Sequence, residues 1–278
     1  TPSVLALTRQ GWCLRSAAAE DRASLAAMLK VTAPGQLGRG RDVAAHSPAY
    51  SALKLVSAWE VVAPERQAVY ILQKGKVRRD ITALSSTGSI RHIRSKCSES
   101  AKLQAPGGGP LSTELNEVWL LHGTKPHHVL PIMREGLNER VTQQAGLFGC
   151  GVYLAEDPEK ADQYVQPDPG PMSSTNDFES LHAVLYGEPD GEHHPGGDVF
   201  YAFAVCALCG VAVRTKDAST DLDWPGVGLF ATSERRELRE VPGSNPPVRY
   251  HSLLAERGAA VKRFREYVFF NSARTHLG

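Results

Sequence analysis

The sequence lacks both a long apolar run and an excess of charge of either sign. A membrane-spanning helix needs about 18 or more consecutive apolar residues, and no apolar run in this chain reaches that length. Lys plus Arg number 31 against 30 for Asp plus Glu, which gives a net charge of +1 with neutral histidines. No membrane association is therefore expected, and nucleic-acid binding through overall charge is not indicated.

An N-terminal apolar segment typical of a secretion signal is also missing, so an intracellular protein, cytoplasmic or nuclear, is expected. The chain begins with Thr1 rather than Met, which indicates a fragment of a longer protein. Its composition, 42% hydrophobic and 22% charged residues, is that of a globular domain and excludes wholesale disorder or a coiled coil.

Cysteines are few, and their odd number, five, argues against a disulfide framework. Cys206 and Cys209 form a C-x-x-C pair with His193 and His194 upstream, so a zinc site is one interpretation. The pair lies in an apolar run at 199–211 that predicts a strand, where positions three apart point to opposite faces. Buried structural thiols are therefore the favoured interpretation.

A second group of potential metal ligands is formed by His122, His127 and His128, but it has no H-E-x-x-H spacing and no nearby carboxylate pair. No metal is expected there.

The chain divides into an N-terminal extension, residues 1–45, and one larger domain, 46–278. In the extension, a short helix is predicted at 21–29. In the domain, apolar patterning predicts a helix from 68 to 79, a buried strand at 118–121, and further strands at 152–155, 199–211 and 266–270. Helical spacing at 129–133 predicts a short or distorted helix that Gly136 ends. Asp157 as N-cap and Pro158 as first residue predict another helix that continues through Tyr164. Many short strands with few helices indicate an α+β fold with two mainly antiparallel sheets.

Three polar features are difficult to explain by core packing alone. The triplet His122–Thr124 follows a buried strand, where the backbone beside Gly123 could accept a flat polar group. Tyr153 and Tyr164 could flank an aromatic ring. Glu266 opens an apolar strand, and its burial would be costly unless the carboxylate bonds a partner such as a sugar hydroxyl.

Taken in this order, these features resemble the catalytic domain of the poly(ADP-ribose) polymerase family, of the tankyrase-like kind without a helical regulatory domain. The resemblance covers about four fifths of the chain, from Tyr50 to the end. The matching residues are His122-Gly123-Thr124, Leu147-Phe148-Gly149-Cys150-Gly151-Val152-Tyr153-Leu154-Ala155-Glu156, Lys160-Ala161-Asp162-Gln163-Tyr164 and Arg265-Glu266-Tyr267-Val268.

The resemblance implies an ADP-ribosyltransferase fold and an enzyme of the glycosyltransferase class that uses NAD as co-substrate. Such an enzyme transfers ADP-ribose to a protein acceptor, or to a growing ADP-ribose chain, and releases nicotinamide. It implies that His122, Tyr153 and Glu266 form the catalytic triad, with Glu266 bonding the 2'-hydroxyl of the nicotinamide ribose. No metal is needed, since nicotinamide is already a cationic leaving group.

The resemblance also implies the binding residues for NAD. His122 would hold the adenosine-side ribose, the backbone of Gly123 would bond the nicotinamide amide, and Tyr153 and Tyr164 would sandwich the nicotinamide ring. Thr124 and Ala161 complete this predicted set, which forms a nicotinamide pocket.

The chain departs from the family pattern in several places. Ala161 stands where the family commonly has Ser, so a hydroxyl that contacts the nicotinamide amide is missing. His128 stands where some members carry Asn near the adenosine, and the stretch between Gly136 and Gly146 is short. The family normally continues beyond Glu266 into a further strand, so a C-terminal truncation is expected.

The main alternative is a catalytically silent NAD- or ADP-ribose-binding module of the same fold. A third hypothesis is a scaffold domain whose motif matches are accidental. The acceptor residue, the choice between mono- and poly-ADP-ribosylation and the oligomeric state are left open.

Overall fold

A computed structural model of the chain describes residues 11–38, 50–84, 91–93, 98–142, 146–170, 178–187 and 192–278. Within these ranges lie nine strands: β1 Cys13–Ser16, β2 Trp59–Val62, β3 Glu117–Thr124, β4 Val152–Leu154, β5 Tyr201–Leu208, β6 Ala212–Thr215, β7 Ser252–Ala255, β8 Glu266–Phe269 and β9 Thr275–Leu277. The helices are α1 Ala19–Met28, α2 Pro64–Leu84, α3 Pro126–Glu135, α4 Pro158–Ala161 and α5 Glu179–Tyr186.

Two larger sheets organise the fold. In the three-stranded sheet, β5 lies between β3 and β9, and all pairs are antiparallel. The four-stranded sheet has the order β4-β8-β7-β6, antiparallel except for the parallel pair of β6 and β7. A mixed fold with antiparallel sheets is therefore confirmed, although the described residues form three sheets rather than two, because β1 and β2 pair separately.

The two larger sheets meet at one backbone bridge between Leu121 of β3 and Ala155, the residue after β4. The Leu121 N–H donates to the Ala155 carbonyl at 2.7 Å, and the Ala155 N–H donates back at 2.9 Å. This bridge holds the end of β3 against the end of β4.

Several elements extend further than the sequence predicts. Strand β3 continues through Thr124, so the triplet His122–Thr124 lies inside the strand rather than after it. Glycine and polar residues are weak strand signals, and pairing with the apolar strand β5 overrides them. Helix α2 begins at Pro64 instead of at 68, since proline is well tolerated in the first turn of a helix.

Other predicted boundaries agree with the structure. Helix α1 at Ala19–Met28 confirms the expected short helix, and Gly136 ends α3 with a φ of 80°. The strand that begins at Glu266 is also confirmed. It is followed by β9, which pairs with β5.

Candidate active site

A cleft lies where the ends of β3, β4 and β8 meet the short helix α4. It holds about 300 Å³ of space, including its open mouth. Its lining residues are Leu121, His122, Gly123, Tyr153, Leu154, Ala155, Lys160, Ala161, Tyr164 and Glu266. Seven residues were predicted to form the site, and six of them line this cleft: His122, Gly123, Tyr153, Ala161, Tyr164 and Glu266.

The seventh residue, Thr124, is not among the lining residues. It is buried at the end of β3, opposite Tyr201 of β5. Its place in the NAD-binding set stays a prediction.

Gly123 forms the floor of the cleft, because no larger residue fits there. A Cβ atom on Gly123 would lie 2.0 Å from the carbonyl oxygen of Ala161 in α4. Alternate residues of an antiparallel strand direct both backbone polar groups to the same side. Since Leu121 directs its groups to Ala155, Gly123 directs its N–H and C=O to that same side, toward the cleft.

His122 is fixed in one tautomer by the neighbouring strand. Its Nδ1 lies 3.0 Å from the backbone oxygen of Tyr153, and because a carbonyl oxygen can only accept, Nδ1 must carry the proton. Nε2 is then an acceptor. Burial lowers the pKa of His122, although the bond to the Tyr153 carbonyl partly opposes this shift.

Tyr153 ties β4 to the loop that precedes it. Its hydroxyl accepts a hydrogen bond from the Phe148 N–H at 2.9 Å and donates one to the Gly149 carbonyl at 2.8 Å. Burial raises the pKa of Tyr153, and the charge of Glu266 adds to this shift. The hydroxyl is therefore neutral at pH 7, and the ring forms a rigid wall of the cleft.

Glu266 at the start of β8 forms a buried ion pair with Lys160 of α4. Lys160 Nζ lies 2.5 Å from Glu266 Oε1, and the two side chains are 4% and 7% exposed. Burial alone lowers the pKa of Lys160, but the attraction of Glu266 and a hydrogen bond with Tyr164 outweigh it and raise the pKa. The same ammonium lies 5.3 Å from the centre of the Tyr164 ring.

Sequence reasoning gave Lys160 no role. It belongs to a run with several charges, Glu159-Lys160-Ala161-Asp162, in the helix predicted after Asp157. All three charged side chains are buried. Such a run in a buried element is a signal that could have pointed to ionic partners elsewhere in the chain.

The partners of Glu159 and Asp162 lie in the N-terminal segment. Glu159 Oε1 accepts from the backbone N–H groups of Thr32 and Ala33, both at 2.6 Å. Asp162 accepts from the Gly38 N–H at 2.7 Å and from the Tyr50 hydroxyl at 2.5 Å. The residues described between 32 and 50 thus brace the outer side of the helix whose inner side lines the cleft.

A second buried carboxylate, Glu156, lies beside the cleft. Arg265 binds it in a two-pronged contact, Nε to Oε1 and Nη2 to Oε2, both at 2.7 Å. The hydroxyl of Tyr267 adds a donor to Oε2 at 3.2 Å. Glu156 directly follows Ala155 and Arg265 directly precedes Glu266, and both of these neighbours line the cleft. The contact between Glu156 and Arg265 therefore holds the edge of the cleft in place.

The thiol pair of the C-x-x-C sequence does not converge. Cys206 and Cys209 belong to different core clusters, on opposite sides of the sheet, and both are fully buried. Burial raises the pKa of both thiols. The interpretation as buried structural thiols is confirmed.

Comparison of the chain with models of known protein families and with curated protein sequences gave no significant match. In the part of the chain that the structure describes, no helix combines the length and the apolar character needed to span a membrane.

Proposed function

We propose that this chain transfers ADP-ribose from NAD to a protein acceptor, or to a growing ADP-ribose chain, and releases nicotinamide. The observation that carries the proposal is the convergence of His122, Tyr153 and Glu266 on one cleft whose floor is the glycine backbone of Gly123. These residues are far apart in the sequence, and they match the family motifs in order.

The cleft has the features that a nicotinamide group needs. A carboxamide offers an acceptor oxygen and an NH2 group with two donors, and the backbone N–H and C=O of Gly123 face the cleft as partners for the oxygen and for one N–H. Tyr153 and Tyr164 both line it, and aromatic walls favour a flat ring by stacking. His122 Nε2, as an acceptor, suits a ribose hydroxyl.

Glu266 supplies the charge that the reaction requires. The glycosidic bond between the ribose C1' and the nicotinamide nitrogen breaks, and its electron pair leaves with nicotinamide. Positive charge develops on C1' and on the ring oxygen, the nucleophilic atom of the acceptor then bonds to C1', and the acceptor's proton passes to solvent water. A carboxylate that bonds the neighbouring 2'-hydroxyl stabilises this charge in a dry site, where such electrostatic effects are largest.

Lys160 serves to hold Glu266. Its ammonium pairs with Oε1 of the carboxylate and so fixes the Glu266 side chain at the wall of the cleft.

The test is an incubation of the protein with NAD labelled in its adenylate part. We expect free nicotinamide to appear together with label on protein, and a gel separates single ADP-ribose units from chains. A benzamide competes for the nicotinamide position and should suppress both signals. A rise in melting temperature with NAD, measured in parallel, reports binding without turnover.

Each other outcome contradicts the proposal. A rise in melting temperature without release of nicotinamide would assign the chain to a silent NAD-binding module. No thermal shift and no release would show that the cleft does not bind NAD at all. Release that a benzamide leaves unchanged would place the reaction outside this cleft.

A further inference from the structure

A second group of side chains, which could bind a metal ion, lies outside the cleft. Asp168, His182 and His194 each present a ligand atom, and these atoms all lie within 4.8 Å of one another. The three residues come from separate segments: the loop after Tyr164, helix α5 and the loop before β5. None of them lines the NAD-binding cleft proposed above.

The carboxylate of Asp168 is held firmly at the centre of this group. The residue is fully buried, and its backbone pairs with Val199 through hydrogen bonds of 2.8 and 2.9 Å. Gly170 N–H donates to Oδ1 at 2.9 Å, and the Tyr201 hydroxyl donates to Oδ2 at 2.7 Å. The oxygen atoms are therefore positioned before any ligand arrives.

The two imidazoles face this carboxylate from different distances. His182 Nε2 lies 2.8 Å from Asp168 Oδ2, whereas His194 Nε2 lies 3.9 Å from Oδ1, too far for a hydrogen bond. The side chains of His182 and His194 are only 9% and 4% exposed. Among the described residues, His194 Nε2 and His182 Nδ1 have no hydrogen-bond partner although both are buried.

Unpaired buried nitrogens of this kind require an explanation, because leaving a polar atom unsatisfied costs free energy. Hydrogen bonds satisfy the buried polar atoms of Asp168 and Tyr201 and one ring nitrogen of His182. They do not explain why His194 Nε2 is buried and aimed at a carboxylate that it does not reach. A cation between the two groups does.

We propose that Asp168, His182 and His194 bind a zinc ion, with a water molecule in the fourth position. Two imidazole nitrogens and one carboxylate oxygen are a ligand set that zinc commonly takes. Zinc bonds of about 2.0–2.1 Å in a tetrahedron set ligand atoms roughly 3.3–3.4 Å apart. The three ligand atoms lie within 4.8 Å of one another, so side-chain shifts of about an ångström bring them to this spacing.

Binding through Nε2 requires the ring proton of each histidine to sit on Nδ1. For His194, this gives up the contact in which the exposed Gly196 N–H donates to Nδ1 at 3.2 Å. For His182, Nε2 exchanges its bond to Asp168 for one to the metal. The zinc ion then joins three chain segments, and it stabilises the fold without taking part in catalysis.

The experiment measures zinc in untagged protein purified without chelator, by mass spectrometry. We expect one zinc ion per chain. Removing it with a chelator should lower the melting temperature, and adding zinc chloride should restore it. Cobalt(II) in place of zinc should give the intense visible absorption of a four-coordinate site.

The matched variants are His194→Gln and His193→Gln, because His193 is the exposed neighbour of the proposed ligand. We expect zinc to be lost only from His194→Gln, and Cys209→Ser to retain it. Zinc-free parent protein that shows no thermal shift with zinc would overturn the proposal, as would equal zinc content in His194→Gln and His193→Gln. The readout is metal content, so the result is independent of whether the cleft turns over NAD.

Discussion

Two buried glutamates next to the cleft, Glu156 and Glu266, have opposite surroundings. Glu156 is saturated, with Arg265 on both of its oxygens and the Tyr267 hydroxyl as an additional donor. Glu266 has one cation, Lys160, on one oxygen, and lies at the wall of an open cleft. The two clusters are adjacent in sequence, since Arg265 precedes Glu266.

The different surroundings indicate a structural role for Glu156 and a chemical role for Glu266. A carboxylate whose lone pairs are filled by an arginine fork is a rigid joint between strands. A carboxylate that pairs with one lysine at the wall of a cleft has acceptor capacity for the hydroxyl of a ligand. The first glutamate should therefore affect stability and leave turnover unchanged, whereas the second should control turnover in addition to stability, and four predictions test this division.

The largest effect is expected from Glu266→Gln. Under the proposed function, transfer should fall by at least about a hundredfold, because the charge matters most in the transition state. NAD binding should remain close to that of the parent, since the amide keeps the size of the side chain. Nicotinamide release and NAD titration measure the two quantities. Equal turnover in variant and parent would remove Glu266 from the mechanism.

Glu156→Gln should show the reverse pattern. Losing the two-pronged contact with Arg265 should cost about 3 kcal/mol of stability, or roughly 6–12 °C in melting temperature. Turnover per folded molecule at low temperature should change little.

Glu256→Gln is the matched control, because its carboxylate makes only long contacts, 3.9 Å to Arg265 and 3.6 Å to Arg214. If Glu156→Gln and Glu256→Gln melt at the same temperature, the rigid-joint interpretation fails.

The pH dependence of NAD affinity tests the cleft side of the comparison. The pKa of His122 is lowered by burial, so the ring is neutral at pH 7 and Nε2 accepts. The affinity should stay constant from pH 8 down to about 6.5, the unperturbed histidine value, and fall at lower pH as Nε2 takes up a proton.

Loss of one hydrogen bond corresponds to a decrease of about tenfold at most. Calorimetric titration at several pH values measures it, and His122→Gln should abolish the dependence. A profile that persists in His122→Gln would assign the titration to another group.

The smallest effect is expected from Ala161→Ser. Ala161 lines the cleft, and an added hydroxyl should bond the amide of a benzamide. One neutral hydrogen bond contributes about 0.5–1.5 kcal/mol, so binding should tighten roughly two- to tenfold. Inhibitor affinity and melting temperature are measured together. Unchanged or weaker binding with a lower melting temperature would show that residue 161 is a packing position.

The sequence alone was sufficient for those features that depend on short-range pattern. Apolar runs located β3 and β8, and Gly136 marked the end of α3, because strand and helix periodicity and the special backbone freedom of glycine are local properties. The order of the motifs also selected six residues that the structure places on one cleft.

Tertiary structure alone decided which charges meet. The pairs Lys160–Glu266 and Arg265–Glu156 join residues more than a hundred positions apart. The bonds from Thr32 to Glu159 and from Gly38 to Asp162 link the N-terminal segment to the cleft. No periodicity encodes such contacts, because they depend on how strands pair and pack. The same holds for Asp168, His182 and His194, which become neighbours only when two loops and a helix fold together.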